Sequence, residues 1–248
     1  MWLSVVTPVR NAAAALADTH ASLKNAPAGV EWIVQDGASD DGSLALLAGL
    51  RDPAPAVLSA ADDGLYQAMD RGLARATGGH VLFLGAGDRI AGPDTLSRLA
   101  AVLAGQPDMV FGPALEDTAG GVRAKPCRAP ASLWRGLPTH HPAIVFRRDL
   151  VAGQCHDPAF QVAADYAFVW DAWRRAATVV LADFPICRCA PAGFSAHHAR
   201  LGRDEQWRVR RQRGVPWPAT AGVWTVQTLS WHLRRLAPAL WARLRFSR

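Results

Sequence analysis

The sequence predicts an α/β fold in which a largely parallel sheet is covered by helices on both faces. Three observations predict it. Short runs of β-forming residues alternate with longer runs of helical periodicity from the first residues onward. The links after the β-type runs are rich in Gly and Asp, as connections at the carboxyl edge of a parallel sheet are. Of the 248 residues, 50% are apolar and 19% charged, the balance of a chain with a sizeable core rather than of a disordered one.

Residues 3–7 form the first expected strand and 11–25 the first helix. Strand 30–35 and helix 43–51 follow, then strand 56–59, helix 65–76 and strand 80–84. Pro93 and Asp94 mark the start of the next helix, 94–104, because proline is tolerated in a first turn. Residues 109–111 are a further strand. Beyond residue 112 the connections become Pro- and Gly-rich. A hairpin is expected around Ala119-Gly120-Gly121, with strand 143–146, helix 162–176 and short strands 179–182 and 186–189. This later part is expected to be mixed rather than parallel. No repeat or low-complexity linker divides the first 200 residues, so 1–112 and 113–212 are read as two halves of one body, with 213–248 appended.

The appended region carries its own signal. Residues 199–248 hold eleven arginines against Asp204 and Glu205, while the rest of the chain has sixteen cationic residues against nineteen carboxylates. The same fifty residues contain Trp207, Trp217, Trp224, Trp231 and Trp241, half of the ten tryptophans. Val226, Leu229, Leu233, Leu236, Leu240 and Leu244 recur at helical steps, flanked by Arg234, Arg235, Arg243 and Arg245, and Pro238 would kink or divide that helix. A basic amphipathic helix of this kind lies in the interface of an anionic bilayer or packs its stripe on the protein's own core; periodicity does not distinguish the two. A charge run without a nucleic-acid module gives no reason to expect a nucleic-acid partner. No apolar run approaches the roughly 20 residues of a membrane span. Pro8 and Arg10 interrupt what could have been a secretory signal, so a cytoplasmic protein is expected. Cys127, Cys155, Cys187 and Cys189 are too few for a disulfide framework, lack zinc spacing, and are read as structural thiols.

The candidate chemistry lies in the loops after the strands. Gly85-Ala86-Gly87-Asp88 follows the fourth strand and has two readings. Gly85-x-Gly87 opens like a dinucleotide fingerprint, which would make the protein an NAD-dependent oxidoreductase. That fingerprint needs a helix starting at the glycines, and Ile90-Ala91-Gly92-Pro93 intervenes. A single loop carboxylate can instead hold a divalent cation together with substrate phosphates. Taken alone, Asp88 reads equally as a solvated turn aspartate.

The blocks in series are more specific. Ser4-Val5-Val6-Thr7-Pro8-Val9-Arg10-Asn11, then Gln35-Asp36-Gly37-Ala38-Ser39-Asp40-Asp41-Gly42-Ser43, then Asp62-Asp63-Gly64-Leu65-Tyr66-Gln67-Ala68-Met69-Asp70-Arg71-Gly72 resemble the family-2 glycosyltransferases. Phe83 to Asp88 is similar to that family's metal loop, His141-Pro142-Ala143-Ile144-Val145-Phe146 to its central strand, Ala164-Asp165-Tyr166 to its base segment, and Ala192-Gly193-Phe194-Ser195 to its later Gly-Ser turn. The resemblance runs from residue 3 to about 210 with every block in the family's order.

It implies the GT-A fold of nucleotide-diphospho-sugar transferases, Rossmann-like in its N-terminal half, and single-sugar transfer with inversion from a nucleotide-sugar donor to a glycan or polyprenyl-linked acceptor. On this resemblance 1–112 is the donor half and 113–212 the acceptor half. Asp36 matches the position contacting the donor base, with Thr7, Pro8 and Arg10 lining the same end and Asp62 nearby. Asp88 matches the carboxylate holding Mn2+ or Mg2+ on the diphosphate. Asp165 matches the general base, though by itself a carboxylate there is also a favourable helix N-terminal charge. His141 is an acceptor-side contact. The sequence departs from the family at Ala86, Ala60, Asp70 and Ala164, where relatives carry a polar or acidic residue, Glu, Asn and Glu. No Gln-x-x-Arg-Trp motif of processive members occurs. Together with the basic helix, this places the expected enzyme peripherally on the inner face of the cell membrane, in envelope-polysaccharide synthesis. A non-catalytic nucleotide-sugar-binding protein is the remaining alternative.

Overall fold

The computed structural model describes residues 1–118, 120–190, 198–237 and 241. The Gly-Ser turn at 192–195, His197, and the expected positions Pro238, Leu240, Arg243, Leu244 and Arg245 lie outside them.

The first part alternates as expected: β1 (Leu3–Val9), α1 (Ala13–Leu23), β2 (Val30–Asp36), α2 (Ser43–Gly49), β3 (Ala56–Ser59), α3 (Leu65–Arg75) and β4 (His80–Phe83). β1 pairs in parallel with both β2 and β4, and β2 with β3. The period-two alternation of each strand then divides its side chains between two cores. Leu3, Val5 and Val9 pack with Leu16 of α1 and Leu47 of α2, whereas Val6 packs with Met69 and Leu73 of α3. Gly72 lets α3 lie against β1, since a Cβ there would overlap the side chain of Val6.

The rest of the sheet is mixed. A two-residue strand β5 (Arg89–Ile90), α4 (Thr95–Leu103) and β6 (Met109–Phe111) are followed by the hairpin β7 (Ala114–Thr118) and β8 (Gly121–Lys125), paired antiparallel as expected. Two 3-10 turns, Pro130–Arg135 and His141–Ala143, precede β9 (Ile144–Arg147) and the short α5 (Arg148–Val151). β9 runs antiparallel between β4 and β6, giving the strand order β10-β6-β9-β4-β1-β2-β3, in which β10 is Val179–Leu181. β5, β11 (Cys187–Cys189), β7 and β8 form a second, four-stranded sheet among the described residues, which the local sequence pattern does not foretell.

Three further helices follow among the described residues: α6 (Ala164–Arg175), α7 (Ala199–Gln212) and α8 (Trp217–Leu236). α6 lays Phe168, Val169 and Ala172 on the face of the sheet that α3 covers, and Val209 of α7 joins the same core. The cysteines are free thiols.

Candidate active site

The carboxyl ends of β1, β2, β3 and β4 lie along one edge of the large sheet because these strands run parallel. β9 is antiparallel, so its amino end, preceded by His141, reaches that edge too. Most of the sequence-predicted residues meet there.

At the β1 and β2 ends two loops are laced together. Ser39 Oγ accepts from Asn11 N at 2.8 Å, Asn11 Oδ1 from Asp40 N at 3.0 Å, and Asp41 Oδ2 from Ala13 N at 3.0 Å. Asp36 ends β2 and is fully buried. Its oxygens accept from Ser39 N at 3.0 Å, from Ser39 Oγ, and from Ser59 Oγ at 2.6 Å. Burial would raise its pKa, but the hydroxyls of Ser39 and Ser59 outweigh that and hold it below the usual range. Asp62 leans over the backbone of Gly37: a Cβ on Gly37 would stand 2.5 Å from Asp62 Oδ2. Asp62 is half-buried, accepts from Gly64 N at 3.0 Å, and is more accessible than Asp36. Thr7 is fully buried and its Oγ1 accepts from Trp32 Nε1 at 2.9 Å, so with buried Pro8 it shapes the end of β1 from within; Arg10, next beyond, is exposed.

After β4, Asp88 closes a turn with its amide donating to Gly85 O at 3.0 Å, and Gly87 adopts φ +93°, a conformation suited to glycine. The turn runs into β5 rather than a helix, so the glycines do not face a helix N-terminus as a dinucleotide site requires. Asp88 Oδ1 accepts from Ala190 N at 2.8 Å. Burial raises its carboxyl to about 6, against the lowering influence of the backbone amides of Ala190 and Gly85 and of Arg89. Thr19 on α1 fixes the loop: its Oγ1 accepts from Gly87 N and donates to Asp88 O, both at 2.9 Å.

No group of three or more His, Cys, Asp or Glu side chains forms a metal cage among the described residues. Asp88 nonetheless suits a hard divalent cation whose other ligands come from a diphosphate and water. It is a partly buried carboxylate that forms no ion pair among the described residues, and the adjacent Arg89 pairs with Asp117.

Asp165 lies in the first turn of α6. Burial raises its carboxyl to about 6, opposed by the amide of Tyr166, by His156 and by the Tyr66 hydroxyl. Tyr66, from the start of α3, donates to Val162 O at 2.6 Å and thereby joins the edge after β3 to the segment before α6. Phe83, ending β4, stacks on His141 at 5.3 Å and meets His156 edge-on at 6.1 Å, while His156 stacks on Tyr66 at 5.0 Å. These contacts join Asp165 to the strand that leads to Asp88. His141 is buried, its Nε2 has no partner among the described residues, and burial, then the neighbouring His156, lowers its pKa to about 3, so it is neutral.

The sequence reading misses three positioning groups. Asp70 holds His156 Nδ1 at 2.6 Å and accepts from its backbone amide; the one available signal is the acid at 70 where relatives carry Asn. Glu205, on α7 and almost fully buried, accepts from Gln161 N, Val162 N and Ala163 N at 2.9, 2.7 and 2.9 Å, clamping the chain just before Asp165. Thr19 is the third.

Fold and site together define a nucleotide-diphospho-sugar transferase scaffold, the GT-A fold, with its acids at the edge where such sheets bind ligands. The profile described as glycosyl transferase family 2 matches residues 4–160, and the chain belongs to that family. An uncharacterized glycosyltransferase of Mycobacterium tuberculosis is 32% identical over 178 residues, covering 68% of this chain and 66% of the relative. A PGL/p-HBAD biosynthesis glycosyltransferase of Mycobacterium bovis is 35% identical over 116 residues, covering 44% of this chain and 45% of the relative. Thus the chain spans just under two thirds of the first of these relatives. Staphylococcus aureus TarS in complex with UDP-GlcNAc superposes with TM-score 0.68 at 19% identity, over 84% of this chain and 64% of that one. The mannosyltransferase PcManGT of Pyrobaculum calidifontis, in complex with GDP-Man and Mn2+, gives TM-score 0.65 at 18% identity, over 98% and 74%.

Proposed function

We propose that the protein is an inverting glycosyltransferase that moves one sugar from a nucleoside-diphosphate sugar to a hydroxyl of a glycan or lipid-linked acceptor. The observation that carries this reading is the gathering of acids from separate loops at one sheet edge, Asp36 and Asp62 at one end, Asp88 at the centre and Asp165 on the acceptor side, in a chain of this family. The donor half is 1–112 and the acceptor half 113–212.

A sugar hydroxyl is a poor nucleophile near neutral pH, so a carboxylate must take its proton as it attacks. Asp165 does this: the acceptor oxygen bonds to the anomeric carbon, the bond from that carbon to the diphosphate oxygen breaks, and the proton passes to Asp165. Its raised pKa makes it a stronger base than an ordinary aspartate while leaving it ionised at pH 7. Asp88 would hold Mn2+ or Mg2+, which would supply charge neutralisation on the leaving diphosphate. Asp36 keeps the loop at the base end closed through Ser39 and Ser59, and Asp62 and Arg10 present polar groups beside it. His141, neutral and buried, faces the acceptor. The site of action is the cytoplasmic face of a membrane; the basic α8 with its exposed apolar residues supports this placement.

Asp165→Asn tests the reading. Sugar transfer is expected to fall by about 100-fold or more, with nucleoside diphosphate still binding in the presence of Mn2+. Undiminished transfer removes Asp165 as the base.

A further inference from the structure

Three guanidinium groups gather where the turn Pro130–Arg135 meets α7 and α8, with no carboxylate paired to any of them among the described residues. Arg210 on α7 is fully buried. Its Nη2 donates to Oε1 of Gln206 and of Gln227, both at 3.2 Å, while Nε and Nη1 are buried without a hydrogen-bond partner among the described residues. Burial lowers its pKa, and the opposing influence is Tyr166, not an acid. The Tyr166 ring, 6.0 Å from the guanidinium, is a partner without full charge, so Arg210 adds a positive charge behind this surface that no carboxylate among the described residues neutralises.

Gln227 links Arg210 to a pocket of about 510 Å³ whose walls include Arg128, Trp134, Arg135, Val223 and Val226. Arg128 Nη2 donates to Gly136 O at 3.0 Å and Leu137 O at 2.8 Å, and among the described residues its other nitrogens make no hydrogen bond. The Arg135 guanidinium lies 4.8 Å from the centre of the Trp134 ring. The pocket is therefore lined by both cations and apolar surface. Paired guanidiniums suit the geometry of a phosphate, and the apolar wall suits a hydrocarbon chain.

Two neighbours fix the orientation. Val226 belongs both to this pocket and to an exposed apolar stripe on α8, where Val226, Leu229 and Leu236 are 62%, 63% and 83% exposed. On the other side, the Tyr166 hydroxyl donates to Leu133 O at 2.8 Å, tying the turn to the residue after Asp165. The pocket thus adjoins an exposed apolar helix face, and the turn that contributes Trp134 and Arg135 is bonded to the residue after the candidate base.

We propose that this pocket binds a single-chain lipid phosphate or diphosphate, with the phosphate on Arg128 and Arg135, backed by Arg210, and the chain running past Val226 along α8. Its role as the acceptor's anchor rests on the glycosyltransferase reading; the binding itself does not.

The full-length chain is titrated by calorimetry with farnesyl phosphate in EDTA, which keeps the donor diphosphate site from taking a cation-bridged ligand. Farnesol and inorganic phosphate each present one half of the ligand and are expected to bind at least about tenfold more weakly. Val226→Glu and Arg135→Ala alter exposed positions and are expected to weaken farnesyl phosphate about tenfold or more, with thermal midpoint and Mn2+-dependent nucleoside diphosphate binding unchanged. Farnesyl phosphate binding that survives both substitutions overturns the site. So does its absence in a chain that still binds nucleoside diphosphate. Displacement by phosphatidylglycerol vesicles at equal phosphate concentration also overturns it, by marking a general bilayer surface. Intact farnesyl phosphate binding without nucleoside diphosphate binding or transfer counts against the transferase reading and leaves the site standing.

Discussion

Asp165 joins two effects that a single substitution separates. Its carboxyl is raised to about 6 from 3.8, first by burial. As a base it works only when ionised, so with saturating donor and Mn2+ the transfer rate is expected to rise about tenfold per pH unit below 6 and to level above it. A rate flat from about pH 5 to 8 would show that this group is not the base. The same shift has a sign in stability. Between 3.8 and about 6 the folded chain holds a proton that the unfolded chain has released, so stability falls as pH rises through that window. The difference corresponds to at most about 3 kcal/mol above it. Asp165→Asn removes the charge, and its thermal midpoint at pH 7 is expected to exceed that of the parent while transfer is lost, the pattern of a residue kept for chemistry at the expense of the fold. A lowered midpoint would mean that the carboxylate serves the helix N-terminus instead.

At the scale of elements, two segments of the candidate site, the turn at Asp88 and the chain before Asp165, are each held by a helix remote in sequence. Glu205 reaches from α7 to three successive amides ahead of α6. An amide in its place has one accepting oxygen and turns an NH2 towards N–H donors, so Glu205→Gln is expected to destabilise by about 1 to 3 kcal/mol. Measured by urea unfolding and steady-state kinetics, it should also lower kcat while leaving nucleoside diphosphate affinity in place; an unchanged kcat would mean that the clamp does not set Asp165. Thr19→Val likewise frees Gly87 N and Asp88 O, and is expected to raise the Mn2+ concentration needed for half-maximal transfer. The elements bearing the acids were legible: β1 to β4 are apolar runs closed by Gly- and Asp-rich loops, and period-two alternation is a local property. The partners were not. β9 enters between β4 and β6 from about sixty residues downstream of β4, and the strand β5 has two residues, too few for a pattern. His156 belongs to a loop with no periodicity, and only its acid, Asp70, stood out as a departure from the resembled motif.

For the whole molecule, the separation of charge was plain in composition, but the partner of the C-terminal stripe was not, because an apolar face has the same spacing whether it meets protein or lipid. The structure distinguishes positions within it. Val226, Leu229 and Leu236 are exposed and Leu233 is partly buried, so the stripe is not consumed by the domain's own core. Among the described residues no helix is long and apolar enough to cross a membrane. At a lipid surface two forces would act together: apolar burial of the leucines, and attraction of the basic segment to anionic lipid within a Debye length of about 8 to 10 Å. Leu229→Gln with Leu236→Gln removes the first and leaves the second. Both positions are exposed, so the solution stability of the double variant is expected to stay within about 0.5 kcal/mol per site. Its partition onto phosphatidylglycerol-rich vesicles, read by cosedimentation, is expected to fall at least about tenfold. The binding that remains should weaken further as salt is raised from about 0.05 to 0.5 M, whereas the apolar part of the parent's binding should persist. Equal partition of parent and variant at both salt concentrations would place the lipid contact elsewhere on the molecule.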